Sequence, residues 1–126
     1  MANEQIFSKK EQEMQNCTKS MRAIEDSIFE FKVFFENFID NLVSFEEAEP
    51  GLEEELLENA RSGFSVANWL CEKTVQSVIE HNKKIQKDLK QSYLSVIREM
   101  YDELQRFMVE FQVQPDNKIL TLLETA

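Results

Sequence analysis

The sequence predicts an all-α fold: a long antiparallel helical hairpin, coiled-coil-like, completed into a bundle by oligomerisation and ending in a short C-terminal helix. Three observations predict it. The 126 residues include only two glycines and two prolines, too little turn chemistry for the frequent reversals of a β protein. Apolar residues recur at alternating spacings of three and four, the signature of a helical seam. The one emphatic stop, Pro50-Gly51, falls inside the chain and divides it into two unequal rods.

The first helix is expected over about residues 5–47. From Met14 the seam runs through Cys17, Met21, Ile24, Ile28, Phe31, Phe35, Phe38, Leu42 and Phe45 without a slip. Beyond Ile28 the apolar surface widens to take in Phe29, Val33, Phe34, Ile39 and Val43. Aromatic side chains are bulky for a two-stranded seam, so this half calls for three or four helices in cross-section. Trp69, on the facing helix, is expected in the same core.

Pro50 cannot continue a helix and disfavours helical geometry at Glu49, placing a turn at 48–51. Glu53, Glu54 and Glu55 then complement the positive end of the macrodipole of a second helix, expected over about 52–113 and ending before Pro115. Kinks are expected near 62–64, where Ser62-Gly63 is the weak point, or near 81–84. A last short helix over about 117–124, capped by Asp116 or Asn117, is expected to dock through Ile119, Leu120, Leu122 and Leu123.

The two rods differ in reach by about 30 Å at 1.5 Å per residue. A hairpin pivoting at Pro50 sets Phe35 near Phe64 and leaves everything after about Leu89 without a partner. That overhang carries the candidate interaction surface: Tyr93, Val96, Met100, Leu104, Phe107 and Phe111. Each large apolar side chain is worth about 1.5–3 kcal/mol on burial, so the surface must be covered. Either the second helix breaks near His81-Asn82 and returns, or the overhang packs on another chain. Glu80–Ser92 contains no glycine or proline and is rich in helix formers, which favours the second course.

Composition narrows the function. A formal net charge of −10 disfavours nucleic acid, whose binding rests on Lys and Arg neutralising phosphates, and disfavours anionic membranes. No stretch approaches the roughly 20 apolar residues of a membrane span, and the first ten residues lack a signal-peptide core. An intracellular protein, cytoplasmic or nuclear and not secreted, is the expectation. Cys17 and Cys71 then read as reduced structural thiols, and the Asn16-Cys17-Thr18 sequon carries no glycan.

No catalytic, cofactor-binding or metal-ligating residue is expected. The only imidazole, His81, has no cysteine at helical spacing and no glutamate three residues before it, which excludes the triad and Glu-x-x-His patterns. Neither a phosphate loop nor an EF-hand fits a chain with two glycines. One charge reversal stands out: between Cys71 and Ser92 five lysines (73, 83, 84, 87, 90) face three acids (72, 80, 88). Lys83, Lys87 and Lys90 share a face if the helix is continuous. They either meet Glu11 and Glu13 of the first helix or contact an acidic partner.

The function expected from these readings is a non-enzymatic protein-interaction or scaffold subunit that self-associates or pairs with another protein through a helical-bundle or coiled-coil interface. The alternative is a monomeric helical bundle holding an apolar ligand or lipid in a Phe-lined interior.

Overall fold

The computed structural model describes residues 9–42, 47, 49–115 and 117–126, with side chains from residue 17 onward. Its first seam becomes α1, Lys9–Asn41, which buries Ile24, Phe31 and Phe35 in a row along one side. The start expected near Gln5 lies outside the described residues. The helix ends about six residues short of the expected position, with the Leu42 N–H turned back to the Ile39 carbonyl at 3.1 Å.

The turn is where proline and glycine put it. Glu49 accepts a hydrogen bond from Leu52 N–H at 3.1 Å, and Gly51 takes φ +95°. Proline second and a left-handed glycine third is the pattern of a type II turn. Gly51 N–H also donates to the Glu53 carboxylate at 2.9 Å, so one acid of the following first turn clamps the corner. From there α2, Glu53–Glu80, runs antiparallel to α1 and buries Phe64, Ala67, Cys71, Val75 and Val78. Their register is seen in Phe38 against Phe64, and in Thr74, whose hydroxyl donates to the Ser27 carbonyl at 3.2 Å. This sets the pairing three residues along α1 from the Phe35–Phe64 match expected.

The helix does not break at Ser62-Gly63; α2 continues through it. Gly63 serves packing instead, because a Cβ there would fall inside the Phe38 ring. The second expected site of distortion is where the long rod breaks. After Glu80 the chain makes a single 3₁₀ turn, Asn82–Lys84, and two extended residues, Ile85 (φ −124°, ψ 155°) and Gln86 (φ −68°, ψ 147°). It then returns as α3, Lys87–Glu110.

The expectation of one continuous helix over 52–113 is therefore corrected, and with it the partnerless overhang. Tyr93, Leu104 and Phe111 of the candidate surface are buried within the chain, together with Leu94, Ile97, Tyr101 and Met108. The physical reason is a contest of magnitudes. Starting a fresh helix costs about 4 kcal/mol, from a nucleation constant of about 10⁻³. Burying seven large side chains returns on the order of 10–20 kcal/mol. Local helix propensity, worth tenths of a kcal/mol per residue, cannot hold the rod straight against that difference.

Folding back also equalises the rods: 33, 28 and 24 residues for α1, α2 and α3. At the reversal His81 Nδ1 lies 3.1 Å from the Ser20 hydroxyl, a buried side chain of α1, which ties the corner to the first helix. The chain leaves α3 through a Schellman motif: Gln112 takes φ +60°, its N–H reaches Val109, and Val113 N–H reaches the Met108 carbonyl at 2.7 Å. The short helix α4, Lys118–Thr125, then lies on α2 with Ile119 and Leu123 buried. Asn117 occupies its N-cap position without a side-chain capping bond, Leu120 faces outward, and Asp116 lies outside the described residues.

The described residues thus form an all-helical bundle of four helices without strands, α2 touching the other three. None of these helices is long and apolar enough to cross a membrane. Trp69, expected in the core, stands 58% exposed, with the Lys73 ammonium 5.4 Å from its ring centroid. Its slot on α2 falls outside the arc that faces the other helices.

Two substitutions test this account by chemical denaturation. Gln112→Gly removes the left-handed strain of a residue with a Cβ and is expected to stabilise by about 1 kcal/mol. Gly63→Ala would gain about 1 kcal/mol of helix propensity on an open helix. Here it is expected to destabilise by about 1–3 kcal/mol through displacement of Phe38.

Candidate functional site

α1 and α3 run side by side in the same direction but meet less closely than either meets α2. Their contacts include a hydrogen bond and a ring pair. The Tyr93 hydroxyl donates to Glu25 at 2.8 Å, and the Phe35 and Phe107 rings meet edge to face at 6.4 Å. Beside these contacts the helices part to form a groove of about 400 Å³. Its apolar lining comes from Phe35, Ile39, Val96 and Met100. Its rims carry Glu36 and Asp40 on α1, and Glu99 and Glu103 on α3, with Lys32 at one end.

Helical spacing explains the layout. Ile39 follows Phe35 by four residues and Met100 follows Val96 by four, so each wall presents an apolar pair along its inner flank. Glu36 to Asp40 and Glu99 to Glu103 repeat that interval, one residue after the apolar pair on α1 and three after it on α3, and each wall is edged by two carboxylates. Phe29, 67% exposed, and Val33 lie on the outer side of α1. Phe29 is three residues before Lys32 and seven before Glu36, which carries the apolar surface past the rim.

The candidate interaction surface of the overhang is divided by this geometry. Tyr93, Leu104 and Phe111 are core, Phe107 is half-buried against Phe35, while Val96, 43% exposed, and Met100 line the groove. The rest of the site comes from α1 and from the acids Glu99 and Glu103 of α3. Ile39 was read as part of a widened apolar face, but neither it nor the acids Glu36 and Asp40 signalled this site, because their meeting with α3 depends on the reversal at Ile85-Gln86. Comparison of the chain with protein-family models, curated proteins and solved structures finds no match.

The lysine patch changes character. Lys83 lies in the 3₁₀ turn, while Lys87 and Lys90 open α3, so the three do not share one helical face. The break that folds α3 back also rotates Lys83 out of line. They form an exposed basic corner with Lys84, Lys90 being half-buried. The side chains of Glu11 and Glu13, the expected facing acids, lie outside the described residues.

A second groove, of about 370 Å³, separates α2 from the segment leading into α4 and is lined by Phe64, Asn68, Trp69, Val113 and Ile119 among others. Lys118 bridges Glu72 across it at 2.8 Å, which pairs two of its charges and leaves Arg61 as the third. The phenylalanines of the alternative reading, a Phe-lined ligand interior, pack on one another. Phe31 stacks on Phe35 at 6.1 Å, Phe38 meets Phe64 edge to face at 5.0 Å, and Phe64 meets Phe111 at 6.0 Å.

The groups with reactive potential are committed elsewhere. His81 is engaged by Ser20 at the corner. Cys17 and Cys71 are both free thiols. Burial, reinforced by the neighbouring Glu72 charge, pushes the Cys71 thiol from 9.0 up to about 12, so it stays protonated. Burial and the Glu25 carboxylate likewise hold the Tyr93 phenol above its ordinary range. Among the described residues no group of three or more His, Cys, Asp or Glu is placed to hold a metal ion.

A thiol reagent at neutral pH is expected to modify the half-buried Cys17 first, with Cys71 protected until the chain is unfolded; simultaneous reaction of both would contradict the burial of α2. Because the raised values at Cys71 and Tyr93 favour the protonated folded chain, their contribution is complete below about pH 9 and declines as pH rises toward 12. The urea midpoint should accordingly be insensitive to these groups up to about pH 9 and fall above it.

Proposed function

We propose that this chain is a non-enzymatic protein-interaction module that docks a partner in the groove between α1 and α3. The observation that carries the reading is an apolar strip left open between two helices that each pack against α2. Val96 and Met100 remain at its surface after the rest of the candidate interaction surface has gone into the core. Phe29 and Val33 add exposed apolar area on the same helix that supplies one rim. Contiguous apolar surface framed by polar residues is the usual mark of a protein-binding face.

The basis for assembly has moved with the geometry. An overhang in need of cover called for a second copy, and that overhang now lies against its own chain. What supports association is the groove, a smaller and more selective feature. The engagement of His81 in a structural contact and the protected state of Cys71 support a role without covalent chemistry. Two free thiols are in keeping with an intracellular setting.

A photoreactive residue decides the matter when placed at Val96 and, as a control for apolar exposure alone, at Val109 on the outer side of α3, which is 66% exposed. In the cells that make the protein, the label at Val96 should yield a discrete protein adduct, absent from the Val109 chain and lost when Met100→Asp is added. Adducts with lipid only, or equal labelling at both positions, would overturn the reading.

A further inference from the structure

We propose that the occupant of the α1–α3 groove is a basic amphipathic helix of a partner protein, its apolar stripe on Phe35, Ile39, Val96 and Met100 and its lysines or arginines on the acidic rims. The inference rests on the reading of this groove as a docking face and adds to it the chemistry of the partner. Three observations carry it: the charge of the rims, the nature of the walls and the composition of the rest of the chain.

The rims hold Glu36, Asp40, Glu99 and Glu103 against the single cation Lys32, an excess of three negative charges round one apolar strip. All four carboxylates are exposed, and none makes an ion pair with another described residue. The second groove differs on this point, since Lys118 and Glu72 satisfy each other across it. Carboxylates flanking apolar surface on both sides select a partner with cations on both flanks of an apolar stripe. Such complementarity sets both specificity and the rate of encounter.

The walls decide the partner's conformation. Both are α-helices in mid-course, whose backbone N–H and C=O groups are spent on their own turns. They offer no edge to which an extended peptide could add its main-chain hydrogen bonds, so the occupant must satisfy its own backbone. A helix does this. Each pair of rim acids is about 6 Å apart along its wall, the rise of four residues, matching cations four residues apart on a helix lying in the groove. Met100, unbranched and deformable, adapts the strip to the stripe it meets.

A second copy of this chain fits less well. Its net charge is −10. Its basic corner at Lys83, Lys84 and Lys87 adjoins Ile85 and Leu89, both packed against its own core. The corner therefore brings cations without an apolar stripe to seat beside them.

The test uses the full chain and two synthetic helical peptides sharing one leucine stripe, flanked by lysine in one and by glutamate in the other, with binding read by fluorescence anisotropy. The lysine peptide should bind, lose affinity as salt rises, and outcompete the glutamate peptide by roughly tenfold or more. Combined Glu36→Gln, Asp40→Asn, Glu99→Gln and Glu103→Gln should weaken the lysine peptide by about tenfold, while the same number of amides at the remote Glu54, Glu58, Glu80 and Glu124 should weaken it by less than about threefold. Equal losses in the two variants would mean attraction to net charge alone and would overturn the proposal. So would absence of lysine-peptide binding, or indifference to the groove variant. Should the groove variant fail to fold, peptide preference and salt dependence on the native chain decide by themselves. A protein adduct at Val96 combined with failure of the lysine peptide would keep the docking face and discard its basic partner.

Discussion

Two extended residues, Ile85 and Gln86, reverse a chain whose local sequence favours a continuous helix, and the remaining architecture follows from that reversal. It converts a hairpin with one overlong arm into three rods of similar reach. It brings α3 alongside α1, closes the core around Tyr101, Leu104 and Phe111, and carries the C-terminal segment to where α4 can rest on α2. The driving term is non-local burial. Most of it comes from α3 residues beyond the corner, and the reversal forms although the corner has neither glycine nor proline. The Ser20–His81 contact pins the reversal to α1 once it has formed and gives a buried hydroxyl its partner.

The same arrangement explains why one side of the bundle remains open. α2 touches all three other helices and is the element around which they are arranged. With α2 in contact with both, α1 and α3 meet less closely, through contacts that include the Phe35–Phe107 ring pair and the Tyr93–Glu25 hydrogen bond. The groove is thus a product of packing order: the helices are held by α2 at a separation their side chains do not fully span. Rim acids tolerate that position because they are solvated there.

Part of the candidate site was legible before the fold was known. Val96 and Met100 belong to an apolar pattern that plainly required cover, and the structure leaves these two partly uncovered while burying most of their neighbours. Glu36, Ile39 and Asp40 were unreadable as site residues, since nothing in their local sequence says which helix will lie beside them. Trp69 illustrates the converse. Its apolar bulk suggested the core, whereas its position on α2 points it outward and Lys73 covers its face.

Sequence alone determined the all-helical character of the chain and its first turn, for physical reasons that are local. Scarce glycine and proline permit long helices, the three-four spacing orients an apolar face on each, and Pro50-Gly51 dictates a turn through its own backbone restrictions. Tertiary structure decided where the second rod breaks, which of its apolar residues are core and which face solvent, and that Lys83 leaves the line of Lys87 and Lys90. Those outcomes turn on contacts between residues distant in the chain, whose summed burial exceeds any local preference. The sequence pattern fixes how much apolar surface must be covered, and only the packed chain settles what covers it.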